Sequence, residues 1–378
     1  MGKFKIVTVV GTRPEIIRLS RIINKFEQLF DHVLVHTGQN FDYELSDVFL
    51  KDMKITAPKY YLESTGTPME VVGNILSRME GVLDIEKPDG FVVLGDTFSC
   101  LSSLAAKMKK IPVFHLEAGS RCFDDRVPEE ILRKVVDSIA DINIVYSDIE
   151  RLNLLNEGYK QDFILKSGSP MTEILNFYSQ AINGSSILEK LSLQENGYFL
   201  FSSHRAEHMT DDKKFNKIVN ILTNLANKYS KRIVVTCHPR MRKQLSLLEN
   251  NNFSELIEFH KPFSFTDYNK LQLGAICTIS DSGTISEESA IMGFNAINLR
   301  GSQERPSAMD EGNIILSNLE WKVVSRAIEF FMNKALDANQ TSVPIDYSRT
   351  NVSDIVARQV MSGIQYVNRK VWFTEEDL

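Results

Sequence analysis

Thiols are scarce in this sequence: Cys100, Cys122, Cys237 and Cys277 are the only cysteines in 378 residues, none in a CxxC pair or a zinc-like spacing. Scattered free thiols fit a reducing compartment. Long hydrophobic runs are missing too. No apolar stretch approaches the roughly 18–20 residues that a membrane span needs. The opening Met1-Gly2-Lys3-Phe4-Lys5 runs straight into a strand pattern, with no secretory leader. Phe4 and that buried-strand pattern also argue against the myristoylation that Met-Gly would permit. There is no excess of basic charge. The formal net charge is −6, which makes nucleic acid a poor partner and requires any cations that meet an anionic ligand to be concentrated locally. A GxGxxG fingerprint and a P-loop are both absent, which points away from NAD and ATP. No low-complexity segment or internal repeat occurs. The expectation is a soluble, cytoplasmic protein with no membrane or nucleic-acid partner.

What is present is an ordinary globular balance, 43% hydrophobic and 24% charged, over a length comfortable for two domains. Short β-branched runs predict strands at 4–10, 32–36, 91–94, 112–116, 142–146 and 163–166. Helices are expected near 14–30, 68–85, 98–109, 128–139 and 147–156. The pattern then restarts, with strands at 198–203, 232–237, 256–259, 275–279 and 295–299 and helices near 212–229, 265–273, 284–292 and 319–335. Such alternation implies parallel sheets with right-handed crossovers. The fold class is therefore α/β, with two doubly wound Rossmann-like domains facing a central cleft. The first should span 1–172 and be completed by a C-terminal helix within 351–378. The second should span 173–350, with 336–349 as the most flexible connection.

Acids mark the expected strand ends. Gly95-Asp96-Thr97 and Glu117-Ala118-Gly119 follow two successive strands, and Pro128-Glu129-Glu130 opens a helix just downstream. Side chains at strand C-termini of such sheets point into the ligand crevice. Asp96, Glu117 and Glu129 crowded there predict proton-transfer chemistry, with one acid and one base near neutral pH. Taken singly, Asp96 also reads as a turn residue and Glu129 as a first-turn helix acid. Arg121 and Arg133 are candidate partners for Glu117 or Glu129. His115 is expected to pack or to orient its neighbour. His32, His36, His208 and His260 read as structural.

Anion-binding signals sit on other turns. Gly11-Thr12-Arg13-Pro14-Glu15 follows the first strand, where free helix amides and Arg13 can hold a phosphate; the plainer reading is an ordinary strand-to-helix turn. Ser203-His204-Arg205 closes the first strand of the second half. His204 can hydrogen-bond or protonate a leaving phosphate that Arg205 neutralises. His238-Pro239-Arg240 ends the next strand and can line the same floor. Asp281-Ser282-Gly283-Thr284 opens a helix whose Glu288 can span both ribose hydroxyls, whereas Glu287 reads as a macrodipole complement. Arg300, Gln303-Glu304-Arg305-Pro306 and Glu311-Gly312 read either as a loop holding a base or diphosphate, or as surface.

Together these segments resemble the non-hydrolysing UDP-N-acetylglucosamine 2-epimerase family, in the right order over nearly the whole chain. The resemblance implies a fold like that of GT-B glycosyltransferases, a homodimer and a UDP-sugar substrate, with no cofactor or metal. It implies elimination of UDP with loss of the C2 proton, a trapped glycal, and re-addition with protonation of the opposite face. Carried over, Asp96, Glu117, Glu129 and His204 do the acid–base work. Arg13, Arg121, Arg133, Arg205, His238, Ser282, Gly283, Glu288 and Arg305 bind the nucleotide sugar. The stretch from His36-Thr37-Gly38-Gln39 to Leu45 replaces the Gln-His-Arg segment that binds an activating second substrate molecule in the bacterial family. With Phe98-Ser99-Cys100 and the short loop Ser120–Arg126, it is similar to the branch that makes UDP-N-acetyl-L-fucosamine. There Phe98, Cys100 or Phe123 would wall the sugar's C6 methyl.

Overall fold

The structure is a computed structural model that describes residues 2–38, 50, 52–203, 205–237, 239–247, 253–333 and 342–374, without the side chains of 206, 207, 239, 240 and 247. The chain divides into two compact units, Met1–Asn176 with Asp346–Leu378, and Phe177–Ile345.

The first unit is built on seven strands: β1 (Lys5–Val10), β2 (Asp31–His36), β3 (Tyr60–Tyr61), β4 (Gly90–Leu94), β5 (Val113–Leu116), β6 (Ile142–Val145) and β7 (Ile164–Lys166). They lie in the order β3-β2-β1-β4-β5-β6-β7, and every ladder is parallel. Parallel sheets need cover on both faces, and the alternation of side chains along a strand supplies it. Val7, Val9, Val33, Val35, Phe91, Val93 and Val113 form one buried face with Met79, Val82 and Leu83 of the helix Pro68–Glu86. On the other face lie Gly90, Phe114 and Ile142. A methyl group added at Gly363, on the helix Val352–Val367, would come within 2.5 Å of Phe114 and 2.7 Å of Ile142. This last helix packs there beside the helix Arg13–Leu29.

The second unit repeats the plan with β8 (Tyr198–Ser203), β9 (Arg232–Cys237), β10 (Ile257–His260), β11 (Cys277–Ser280), β12 (Ala296–Asn298) and β13 (Ile315–Leu316). Their order is β10-β9-β8-β11-β12-β13, again all parallel. Phe199, Phe201, Ile233, Val235, Cys277 and Ile279 pack on one face against Ile218, Leu222 and Leu225 of the helix Asp212–Tyr229. Tyr198, Leu200 and Val234 cover the other with Leu271 of the helix Phe265–Gly274.

In each sheet the winding direction reverses once, between β1 and β4 and between β8 and β11. Helices leave such a switch point on opposite faces. The turns at the strand C-termini therefore splay apart and leave the crevice where α/β proteins bind ligands.

Candidate active site

In the first unit, β4 and β5 run side by side with Leu94 opposite Leu116. Asp96 and Glu117 thus leave neighbouring strand ends. Gly95 makes its turn at φ 83°, a left-handed conformation natural to glycine. Glu117 holds φ 66° without that freedom, a strain of about 1–3 kcal/mol of the kind found at functional sites. Each acid has an arginine behind it. Arg133, on the helix Pro128–Ile139, donates to Asp96 at 2.5 Å and also pairs with Glu130 at 3.2 Å. Arg18, on the buried face of the helix Arg13–Leu29, pairs with Glu117. Glu129 is half-buried in the first turn of its helix, and Arg13 is half-buried at the start of its own. Glu130, beside Glu129, is fully buried; it accepts from the amides of Cys122 at 3.0 Å and Phe123 at 3.2 Å and so ties down the loop before the helix.

Arg121 is buried with partners other than the expected glutamates: Asp137 at 2.7 Å and Glu157 at 2.6 and 2.8 Å. Asp137 also faces Nδ1 of His115 at 2.8 Å, while Nε2 of that ring meets the Gly95 carbonyl at 2.8 Å. His115 therefore orients the main chain before Asp96. Glu150 is fully enclosed and accepts from Ser120 Oγ and from the amides of Tyr146 and Ser147. Burial first, and the nearby Glu117 charge as well, push its carboxyl up to about 7. Gly119, φ 75°, passes so close to the Glu150 carbonyl that any Cβ would collide with it.

The second unit collects its polar groups at β8 and β11. Asp281 is fully buried, and its Oδ2 accepts from Ser203 Oγ at 2.6 Å and from the Arg205 amide at 3.2 Å. It also faces His208 Nδ1 at 2.9 Å. His208 thus joins this network as a structural member. Gly283 lies against cations: a Cβ there would sit 2.5 Å from Arg305 Nη1 and 2.7 Å from Glu304 Oε1. Ser282 Oγ meets Thr284 Oγ1 at 2.9 Å. Arg305 pairs with Glu287 at 2.9 Å and Glu304 at 2.8 Å, and Arg300 pairs with Glu304. These four side chains are buried, so Arg300 and Glu304-Arg305 are not surface, whereas Glu311-Gly312 further along the loop is exposed; Glu287 is an arginine partner rather than a macrodipole complement alone. Glu288 accepts from Gln272 Nε2 at 2.7 Å.

His204 and His238, together with residues 39–45, lie outside the described residues. Among the described residues, no group of three or more His, Cys, Asp or Glu side chains could hold a metal ion, and no helix is long and apolar enough to cross a membrane. The residue that sequence reading passed over is Arg18. A cation at an apolar-stripe position among Ile16, Leu19, Ile22 and Ile23 was the available signal, because a buried charge needs a partner.

Two doubly wound units, one with acids and one with arginines gathered at the switch point, define a two-unit α/β enzyme. Comparison with known proteins narrows that class. A model of the UDP-N-acetylglucosamine 2-epimerase family matches residues 24–360. The solved UDP-N-acetylglucosamine 2-epimerase of Rickettsia bellii is 43% identical with a TM-score of 0.91, over 98% of this chain and all of that one. The Methanocaldococcus jannaschii enzyme, solved in complex with UDP-GlcNAc and UDP, is 30% identical with a TM-score of 0.88, covering 95% of this chain and 99% of its own. The UDP-2,3-diacetamido-2,3-dideoxy-D-glucuronate 2-epimerase of Pseudomonas aeruginosa is 30% identical over 79% of this chain and 84% of its own. The chain belongs to the UDP-N-acetylglucosamine 2-epimerase family, a family of isomerases.

Proposed function

We propose that this protein is a UDP-sugar 2-epimerase acting by elimination and re-addition of UDP, and that its substrate is UDP-2-acetamido-2,6-dideoxy-β-L-talose, converted to UDP-N-acetyl-L-fucosamine for bacterial surface polysaccharide. The observation that carries the chemistry is Asp96 beside Glu117 on the adjacent ends of β4 and β5, next to the switch point, each backed by a buried arginine. The C2 hydrogen has no neighbouring carbonyl to acidify it. The anomeric C–O bond must therefore break first, with UDP taking the electron pair and positive charge at C1 tolerated beside carboxylates. One carboxylate then takes the C2 proton, and a C1–C2 double bond forms. Return of UDP to C1, with a proton delivered to the other face of C2, completes the inversion with no net redox change. Asp96, Glu117 and Glu129, aided by His204, carry these proton transfers. Arg13, Arg205, Ser282 and Gly283 hold the diphosphate, Glu288 holds the ribose, and the products are released in the cytoplasm by a homodimer.

The substrate assignment rests on sequence segments and on Phe98, half-buried two residues beyond Asp96, as an apolar wall. Phe123 is exposed and available for the same role. Cys100 is not: it is fully buried, and its thiol is spent on the Leu94 carbonyl at 3.0 Å. The second reading, interconversion of UDP-N-acetylglucosamine and UDP-N-acetylmannosamine, is favoured by the Rickettsia likeness. Incubation in D2O with each nucleotide sugar tests both. Deuterium should enter C2 of the recovered L-sugar nucleotide without net release of UDP. Incorporation only into the gluco and manno pair would replace the first substrate by the second; no incorporation into either would end the epimerase reading.

A further inference from the structure

One buried group in the first unit is left without a role by that chemistry. Glu15 stands in the first turn of the helix Arg13–Leu29, only 2% exposed. A glutamate at this position can close a capping box in solvent, as Glu70 does in the helix Pro68–Glu86, or buried, as Glu150 does in the helix Asp148–Asn156. Glu15 also closes such a box, but its two oxygens reach different parts of the chain. Oε2 accepts from the amides of Gly11 at 2.8 Å and Thr12 at 2.7 Å and from Thr12 Oγ1 at 2.8 Å. Oε1 accepts from Thr97 Oγ1 at 2.8 Å and from Ser99 Oγ, with the Cys100 thiol at 3.8 Å. The first set belongs to the turn after β1, the second to the turn after β4.

These are the two turns that splay at the switch point. The β1–β4 register ends at Thr8 and Val92, two residues before either strand ends. A side chain must span the gap if Arg13 and Asp96 are to keep a fixed spacing. Burying a carboxylate is costly, and desolvation pushes the Glu15 carboxyl above its usual range against the pull of its donors. Capping alone would not require the second oxygen to reach Thr97 and Ser99 on another turn. Asp96 is thereby held from both sides, by Glu15 through Thr97 and by His115 through Gly95.

We propose that Glu15 is a positioning residue whose carboxylate locks the Arg13 turn to the Asp96 turn, so that one group aligns proton transfer with the diphosphate. The role in turnover rests on the epimerase reading above, whereas the locking itself does not. Two variants test it. Glu15→Ala removes the hub. Thr97→Val/Ser99→Ala removes only the donors on the Asp96 side and leaves the β1 turn and its capping box intact, so it decides the matter if Glu15→Ala fails to fold. Hydrogen–deuterium exchange of peptides covering 92–104, read by mass spectrometry, should quicken by about tenfold in the double variant, with the second unit unchanged. Turnover measured by C2 deuterium incorporation should fall about 10–100-fold, as for a small misplacement of a reacting group, while UDP affinity stays within about twofold. Glu15→Gln, which keeps an oxygen for the Gly11 and Thr12 amides, should lie between wild type and Glu15→Ala. Wild-type exchange over 92–104 in the double variant would overturn the lock. Quickened exchange with unchanged turnover would overturn the alignment role. Wild-type protein inert in D2O would instead remove the epimerase reading, leaving the exchange experiment to judge the lock alone.

Discussion

The two units share a strand order over six strands and differ in the sign of what they gather beside the reversal point. In the first, acids stand at the strand ends and arginines approach from helices behind them: Arg133 to Asp96 and Arg18 to Glu117. In the second, Arg300 and Arg305 crowd the glycine turn, and glutamates hold them from behind. Each reversal point is also tied by one buried carboxylate, Glu15 in the first unit and Asp281 in the second. One scaffold can thus present acids for proton transfer or cations for an anion, depending on which partner is placed in front and which is used as support.

If this division of labour holds, the acids should control turnover and the cations affinity. The largest effect is expected for Asp96→Asn and Glu117→Gln, a loss of about 10²–10⁴ in C2 deuterium incorporation with near-normal UDP binding by calorimetry. Unchanged turnover in either variant would strike that residue from the mechanism. Next comes Arg18→Met, which takes from the buried Glu117 carboxylate the arginine it pairs with. Urea unfolding should register a loss of about 3–5 kcal/mol, and a change under 1 kcal/mol would mean that the pair contributes little. Arg205→Ala should weaken UDP binding by about 1.5–3 kcal/mol, as for loss of a charged hydrogen-bonding group. Arg13→Ala should do likewise although it lies in the acidic unit. It is the point where the comparison is easiest to break, and wild-type UDP affinity in that variant would confine nucleotide binding to the second unit.

The smallest effect concerns Glu150. Its folded carboxyl is raised to about 7 from an ordinary value near 4.5. Over that interval the unfolded chain has already released the proton that the folded chain keeps. The stability this group contributes is therefore complete below about pH 4.5 and is lost as pH rises to 7. Glu150→Gln, which cannot ionise, should gain on wild type across that window by on the order of 2 kcal/mol and then hold level. Denaturation midpoints at pH 5 and pH 8 that differ equally for both proteins would show that Glu150 is ionised throughout.

The longer strands and the acids at their ends were legible because each leaves a local mark. β1, β4 and β8 are runs of β-branched and aromatic residues closed by Gly or Ser, and β5 is a shorter run closed by Glu117. β3 and β13, of two residues each, leave no such run and escaped notice. The expected division between residues 172 and 173 falls inside the helix Met171–Asn183, because Gly168-Ser169-Pro170 just before it reads as a break. At the site, identities were visible but pairings were not. Asp137 sits beside Val136 on a buried helix face, and nothing local connects it to Arg121 or His115. Arg300 and Glu304-Arg305 read equally well as a surface loop because the groups that hold the two arginines, the Asp281 carbonyl for Arg300 and Glu287 for Arg305, lie eighteen or more residues back. Partners that distant are set by topology, which a periodicity search does not see.

The first unit is not continuous in sequence, and this has a consequence for its birth. Val352, Val356, Val360 and Ile364 bury against a sheet whose strands are all synthesised before residue 167. A ribosome adding about 5–20 residues per second needs roughly 10–40 s to travel from there to the last helix. Throughout that delay the nascent sheet carries an uncovered apolar flank, a natural target for chaperone holding and a weak point for any chain terminated early.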